Sequence, residues 1–382
     1  MLLFSFAVVA MLFWVVLTVF MLYGRSRMSY LKHVAISGSF NEPHVVIIIA
    51  VRNEEEHLAQ ALQSVIQLQY SRLRILIIND RSTDGTASIL KDFSNQHPHI
   101  TVTQIDQLPE GWLGKNHALY TGYQASTEEW MLFTDADVVF EKDTLQKAMR
   151  YTTAKDLDHL TVLPDVKSRS KWLNSMLSMF LILLEIKQRP WDVHLPHSKA
   201  SLGVGAFNLV RRTAYEKAGT HTAIALRPDD DLKLGERLKA SGGKAAAIYG
   251  NRQIGLEWYT SVKEFINGLM KNTFSVFDYN LAKVLVTGVL PLLLLLVLPL
   301  PLLLLLGDVT QWWMAAAIFI SQILLFSIPG GMRTYAWYAL MVPVAGCLLI
   351  YILLRSAFLT LKQGGIYWRE SFYPLKELKK AR

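Results

Sequence analysis

Apolar, β-branched runs alternate with helical patterns between residues 45 and 139, and this alternation constrains the fold more than any other feature of the chain. The apolar runs cover residues 45–50, 73–78, 100–105 and 130–134. The first run, VVIIIA, is continuously apolar, which is typical of a strand that is buried on both faces of a sheet. Strands that alternate with helices predict βαβ units and a parallel sheet. We therefore expect an α/β domain.

Polar motifs follow three of these runs directly. Arg52-Asn53-Glu54-Glu55 follows the first run, the sequence NDRSTDGT at 79–86 follows the second, and Asp135-Ala136-Asp137 follows the last. Ligands of open α/β sheets bind beyond the carboxyl ends of the strands. We expect these side chains to line one pocket.

Asp135 and Asp137 end the fourth predicted strand. Side chains alternate between the faces of an extended segment, so both carboxylates point the same way and can share a divalent cation. The alternative is a solvated turn at the strand end, where aspartate is common.

Common nucleotide-binding fingerprints are absent from the sequence. No GxGxxG follows the first strand, and no GxxxxGK[ST] occurs anywhere, which argues against a dinucleotide site and a P-loop. The single cysteine, Cys347, rules out an internal disulfide framework and a cysteine-based zinc site.

Long apolar segments lie at both ends of the chain, which is 52% hydrophobic. Residues 1–23 are uncharged and long enough to cross a hydrocarbon core of ~30 Å at ~1.5 Å per residue. A secretory signal would need a basic start and a small-residue cleavage site, so we interpret this segment as a retained anchor. Further candidate spans are 281–306, 312–328 and 335–354.

The net charge of +8 reflects basic residues beside the membrane segments and does not indicate nucleic acid binding. They are Arg25, Arg27, Lys32, Arg355, Lys362, Arg369, Lys376, Lys379, Lys380 and Arg382. Positive residues favour the cytoplasmic side and anionic lipid. Three full spans after a cytoplasmic domain would leave the basic C-terminus outside. One candidate is therefore expected not to cross, and 312–328 is the shortest.

Taken together, the motifs resemble family 2 glycosyltransferases of the GT-A fold, in particular membrane-bound bacterial members that glycosylate carotenoid, hopanoid-type or other lipid acceptors. The matching residues are 50–55 (AVRNEE), 79–86, 114–119 (GKNHAL), Asp135-Ala136-Asp137, and Asp230-Asp231 with Gly242 eleven residues on. The resemblance covers about residues 43–275. It implies a Rossmann-like nucleotide-sugar domain.

The resemblance also implies roles for individual residues in binding the donor. Asp80 would hydrogen-bond the uracil or ribose of a UDP-sugar, with Arg52 and Glu54 at the same end of the pocket. Asp135 would face the ribose and sugar. Asp137, with Asp135, would hold Mn²⁺ or Mg²⁺ on the diphosphate, and hard cations do take oxygen ligands of this kind.

Lys115 and Trp112, which lie near these motifs, can each be interpreted in two ways. Lys115 lies at a predicted helix start, which favours anions, so it is either a diphosphate or sugar contact or a solvated surface lysine. Trp112 either walls the sugar pocket or packs in the core.

The acceptor needs a base, and the resemblance implies Asp231 for this role, next to Asp230. The family pattern is Glu-Asp, so Asp230 departs from it in the first position only. Neighbouring carboxylates, Asp229 and Asp230, should raise the pKa of Asp231, whereas the helix N-terminus should lower it. The alternative is that one of the three aspartates simply caps the helix, and both roles can hold if Asp229 is the cap.

The domain organisation that we predict has six parts. It comprises a transmembrane anchor (1–24), a linker (25–42), the GT-A domain (43–250), an interfacial helix region (251–280), C-terminal transmembrane segments (281–360) and a basic cytoplasmic tail (361–382). The apolar stretch 172–186 is short for a span and fits either an interfacial or a core helix.

The function predicted from the sequence is an inverting, metal-dependent transfer of one hexose from a UDP-sugar to a membrane lipid. The Gln-x-x-Arg-Trp motif of processive members is absent, which favours a single transfer. The partners are a UDP-sugar, a membrane lipid and the bilayer, without nucleic acid. The location is a bacterial inner membrane, multi-pass, with the catalytic domain on the cytoplasmic side. The alternatives are a polyprenyl-phosphate acceptor and, less favoured, a transporter with a nucleotide-binding domain.

Overall fold

The computed structural model describes residues 1–368 and 371–380. The strands are β1 (Val45–Val51), β2 (Leu73–Asp80), β3 (Ile100–Ile105), β4 (Trp130–Thr134), β5 (Val139–Phe140), β6 (His159–Leu163), β7 (Asp165–Val166), β8 (Asn208–Arg211), β9 (Ala245–Tyr249), β10 (Ile254–Leu256), β11 (Gly365–Trp368) and β12 (Ser371–Pro374). The helices are α1 (Leu2–Ser26), α2 (Leu58–Ile66), α3 (Thr86–Gln96), α4 (Gly114–Gln124), α5 (Thr144–Ala154), α6 (Lys171–Gln188), α7 (Arg212–Lys217), α8 (Asp230–Ala240), α9 (Val262–Val276), α10 (Leu281–Lys283), α11 (Leu290–Leu292), α12 (Pro299–Leu306), α13 (Val309–Ser327), α14 (Val342–Gln363) and α15 (Leu375–Lys380).

The central sheet has seven strands in the order β3-β2-β1-β4-β8-β6-β9. Its first four strands are parallel, and β8 is antiparallel to both β4 and β6. The predicted α/β fold is therefore confirmed, with an antiparallel strand that the sequence did not indicate. The antiparallel strand β8 begins at Asn208, and residues 203–205 before it form a loop.

The register of the parallel strands brings their polar ends together. Val51 pairs with Asn79, Asp80 pairs with Ile105, and Ile49 pairs with Thr134. The apolar side chains of β1 alternate between two buried clusters, one on each face of the sheet. Helices therefore cover both faces, and the strands open to a ligand only at their carboxyl ends.

A smaller sheet, β5-β10-β7, extends the domain beside these strand ends. Its strand β10 begins three residues after position 251, so the segment that we expected to be interfacial starts with a strand. Helix α9 follows, and the hydroxyl of Ser261 caps it by accepting a hydrogen bond from Glu264 N at 3.2 Å.

Among the described residues, three helical segments are long and apolar enough to cross a membrane: Leu2–Ser26, Val309–Ser327 and Ala336–Gln363. Helices α1 and α13 pack together, and Thr18 Oγ1 donates a hydrogen bond to Ser321 O at 3.0 Å. The irregular segment is 281–306, where π-helical turns precede a bend of 45° between Leu281–Val297 and Pro299–Leu306. Prolines 291, 299 and 301 explain why this segment is not a straight helix.

An ion pair joins the N-terminal helix to the α/β domain. Arg25 Nε lies 2.8 Å from Glu185 Oε2 of α6, and both side chains are buried. Tyr249 at the end of β9 donates a hydrogen bond to the same carboxylate at 3.2 Å. Helix α6 shares its buried cluster with the apolar terminal segments, so it packs as a core helix between them and the sheet.

The C-terminal region packs against the α/β domain, where Tyr373 and Leu113 share a buried cluster. Strands β11 and β12 form an antiparallel hairpin after α14, and α15 follows. Residues 369–370 and 381–382 of the predicted basic tail lie outside the described part of the chain.

Candidate active site

A cavity of about 1100 Å³ opens at the carboxyl ends of β1, β2 and β4. The candidate site residues line it: Arg52, Glu54, Asp80, Lys115, Asp135, Asp137, Asp230 and Asp231. Asn53, Glu55, Asn79 and residues 81–86, which belong to the same strand-end motifs, do not line it. The same cavity continues to apolar side chains of the membrane-directed segments, including Leu292, Ile352 and Leu353. One continuous space therefore joins a polar, acidic end to an apolar end.

Asp80 is the last residue of β2, and Arg81 holds its carboxylate at the polar end of the cavity. Arg81 Nε and Nη2 donate to its two carboxylate oxygens at 2.7 and 3.1 Å. Arg52 Nη1 lies 3.9 Å from Asp80 Oδ2. A side chain on Gly114 would overlap Asp80 Oδ2, so only glycine lets the start of α4 approach this closely.

Lys115 connects two of the acidic residues. Its Nζ lies 2.7 Å from Asp135 Oδ1 and 3.5 Å from Asp230 Oδ2. Burial would lower the pKa of this lysine, but the surrounding carboxylates raise it. Lys115 is therefore a charged part of the site, and the solvated surface lysine is excluded.

Asp137 lies in a more acidic part of the cavity. Burial, followed by the charges of Asp135 and Glu54, raises the pKa of its carboxyl to about 7. A cation at this position would remove the unfavourable charge, and these oxygen ligands suit Mg²⁺ or Mn²⁺. Within residues 1–368 and 371–380, no group of three or more His, Cys, Asp or Glu side chains could hold a metal alone. A metal would need donor phosphates as further ligands.

Asp231 is fixed by two backbone amides. Gly205 N donates to its Oδ2 at 2.9 Å, and Leu232 N donates to its Oδ1 at 2.8 Å. Burial raises the pKa of this carboxyl, while Lys115 and these amides act in the opposite direction. Burial also raises the pKa of Asp230, to about 7. The sequence did not decide whether the pKa of Asp231 is raised or lowered. In the structure this pKa is raised, and burial is the largest cause.

Asp229 does not have the role that we expected. It occupies the residue before α8, but its side chain makes no capping hydrogen bond. Instead, Arg227 Nε and Nη2 donate to its carboxylate at 2.9 and 2.8 Å. The prediction of a side-chain cap at Asp229 was wrong, because Arg227 binds both oxygens of its carboxylate.

Trp112 does not line the cavity described here. Its ring stacks on Tyr120, with centroids 5.2 Å apart, and contacts His117 edge-on. The indole therefore packs on the outer face of α4.

The loop at 203–205 is a part of the site that sequence reasoning missed. Gly205 O accepts a hydrogen bond from Asp135 N at 3.0 Å, and Gly205 N holds Asp231. A Cβ on Gly205 would lie 2.5 Å from Asp135 Oδ2. The Gly-Val-Gly spacing before β8 was a usable signal, because glycines mark close backbone approach.

The sequence of the sheet domain matches a known family. Residues 46–219 match the profile of Glycosyl transferase family 2. These residues form a family 2 glycosyltransferase domain. Most of the polar residues of the cavity lie within this domain, whereas Asp230 and Asp231 follow it on α8.

Curated relatives align with part of this chain. The 4,4'-diaponeurosporenoate glycosyltransferase of Staphylococcus aureus (strain bovine RF122 / ET3-1) is 35% identical over 109 residues. The protein of the same name from strain USA300 gives the same identity over the same length. Each alignment spans 28% of this chain and 28% of the relative.

A solved structure shares the fold over nearly the whole chain. It is a mannosyltransferase from Pyrobaculum calidifontis in complex with GDP-Man and Mn²⁺, with a TM-score of 0.59 and 16% sequence identity. The likeness covers 94% of this chain and 98% of that one. At this identity it establishes the GT-A fold of the family 2 domain together with its terminal helices.

Proposed function

We propose that the protein is an inverting, metal-dependent glycosyltransferase that moves one hexose from a UDP-sugar to a membrane lipid. The observation that carries this proposal is the single cavity that connects the acidic cluster to apolar segments suited to a bilayer. A lipid whose chain lies in the apolar end can present its head group to the acidic end. We also propose that the catalytic domain lies on the cytoplasmic side of a bacterial inner membrane.

The donor would bind at the end of the cavity formed by β1 and β2. Asp80, which is held by Arg81 and lies beside Arg52, would accept hydrogen bonds from the nucleoside. Uridine is proposed from the resemblance of the motifs. Because the solved neighbour contains GDP-Man, the donor test has to include a guanosine sugar.

Asp137 and Asp135 are the residues that would hold the cation. When bound, Mn²⁺ or Mg²⁺ would offset negative charge on the diphosphate leaving group. Lys115 keeps the Asp135 carboxylate in place and adds a positive charge at the start of α4.

Asp231 would act as the base. Its carboxylate takes the proton from the acceptor hydroxyl while the acceptor oxygen forms a bond to the anomeric carbon. The bond between that carbon and the diphosphate breaks, and the nucleoside diphosphate leaves from the opposite face, which inverts the anomeric configuration. The two amides from Gly205 and Leu232 fix the orientation of Asp231, and its raised pKa makes it a stronger base.

A second candidate has a polyprenyl phosphate as acceptor. Lys187 and Lys263 line the cavity and offer positive charge for a phosphate. A phosphate oxygen is already ionised at neutral pH and needs no base, so this candidate predicts full activity for Asp231→Asn.

The proposal is tested by turnover in membranes that contain the protein. UDP-glucose, other UDP-sugars and GDP-mannose are each supplied with a membrane lipid extract, with and without Mn²⁺, and lipid products are identified by mass spectrometry. We expect one hexose to be added to a lipid, with a UDP-sugar and only with a divalent cation. Hydrolysis or transfer to soluble acceptors alone would contradict the proposed acceptor.

A further inference from the structure

The C-terminal hairpin returns to the polar end of the cavity. Its base is closed by Leu375 N, which donates a hydrogen bond to Gly364 O at 2.8 Å. Tyr373 of β12 is 8% exposed and lines the same cavity as Arg52 and Asp80. The region predicted to be only a basic tail thus contributes a side chain to the site.

The inner face of the hairpin is fixed by packing. Tyr373, Ile366 and Leu378 of the C-terminal region are buried in one cluster with Leu113 and Phe274. Leu113 immediately precedes Gly114, the residue whose backbone approaches Asp80. The cluster therefore anchors the hairpin next to the residues that hold the end of β2.

The outer face of the hairpin has the opposite character. Tyr367 is 64% exposed, and its ring lies 4.9 Å from that of Phe372, which is 40% exposed. Side chains alternate between the two faces along each strand, so Tyr367 and Phe372 lie on the opposite face from Tyr373. Tyr367 therefore provides a control position on the same element.

The neighbouring Arg81 also indicates which part of the cavity Tyr373 faces. The pKa of the Arg81 guanidinium is raised, first by its hydrogen bond to Asp80 and to a smaller degree by the Tyr373 phenol. The phenol therefore lies near the Arg81–Asp80 pair.

We infer that Tyr373 of β12 borders the donor end of the cavity and contacts the nucleoside of the bound donor. The inference rests on the proposed function, since it assumes a nucleoside diphosphate at Asp80. An aromatic ring suits this contact because nucleobases and riboses pack on aromatic faces, and a phenol can also hydrogen-bond.

The test measures nucleotide binding rather than transfer. UDP and GDP are titrated by calorimetry into the detergent-solubilised full-length protein and into the Tyr373→Ala, Tyr373→Phe and Tyr367→Ala variants, with thermal unfolding as a check of folding. We expect Tyr373→Ala to weaken binding of the nucleotide about tenfold or more, a size typical of a lost aromatic contact with a base. Tyr373→Phe should lose less, and Tyr367→Ala should bind like the wild-type protein.

Hydrogen exchange provides a readout that needs no variant. In the wild-type protein, amides of residues 364–368 and 371–374 should exchange more slowly when UDP is added. Unchanged exchange there, or wild-type affinity in a folded Tyr373→Ala variant, would overturn the inference and leave the proposed function intact. If the wild-type protein bound neither UDP nor GDP, the proposed donor would be wrong and this inference would fall with it.

Discussion

Lys115 Nζ lies 2.7 Å from Asp135 Oδ1, and this ion pair links the start of α4 to the end of β4. The same ammonium lies 3.5 Å from Asp230, so one cation partly compensates two carboxylates from different elements. Its loss would remove this positive charge from between the two carboxylates.

We predict that Lys115→Met lowers both stability and turnover. Removal of one partner from a largely buried ion pair should lower the free energy of unfolding by about 1–3 kcal/mol. Lys115→Arg keeps the charge and should retain more of both. The measurements are thermal unfolding and sugar transfer, and a fully active, equally stable Lys115→Met would contradict this account of the site.

The pH dependence of transfer should reflect the raised pKa values at α8. A base must be ionised to accept a proton, and the pKa of Asp231 is above its ordinary value, so activity should fall as the pH decreases through that raised value. The acidic limb of kcat/KM should therefore lie above ~4, where a free aspartate titrates. Because Lys115 lowers this pKa, Lys115→Met should move the limb to higher pH. An acidic limb at or below the pH where a free aspartate titrates would be inconsistent with a buried base.

Gly205 should tolerate no side chain. In Gly205→Ala the new Cβ would lie 2.5 Å from Asp135 Oδ2 and displace the loop that orients Asp231. We expect a loss of transfer of at least tenfold. Gly255→Ala is the matched control, because its Cβ would meet only Val139 O at 4.0 Å. Equal sugar transfer by Gly205→Ala and Gly255→Ala would contradict the role of this loop in orienting Asp231.

The apolar end of the cavity should determine which lipids are accepted. Leu353 of α14 lines the cavity, whereas its neighbour Leu354 is 40% exposed on the outer face. Leu353→Trp should raise KM for a long-chain acceptor several-fold and leave the Kd for UDP unchanged, because only the apolar end is filled. Leu354→Trp should alter neither constant, and an equal effect of both substitutions would argue against this route for the acceptor.

The local parts of this fold could be predicted from the sequence. The apolar runs of β1 to β4 identify their strands, and the polar residues after them mark the ligand end of the sheet. This works because burial on both faces of a sheet leaves a distinct pattern, and because parallel strands bring their carboxyl ends to one edge.

The parts that the sequence could not predict depend on contacts between distant segments. Asp231 is held by an amide 26 residues earlier, and Arg25 pairs with Glu185 at a separation of 160 residues. The return of Tyr373 to the cavity is of the same kind. Nothing in the local pattern of these residues indicates which partner tertiary packing will bring to them.

The central claim is that Asp231 is the base at the junction between the donor site and the lipid-facing end of the cavity. It is tested most directly by comparing hexose transfer to lipid by the wild-type protein and Asp231→Asn, with UDP binding measured on both. The account predicts that transfer falls by about 10²–10⁴-fold while UDP binds with unchanged affinity. Wild-type rates of transfer by Asp231→Asn would contradict it.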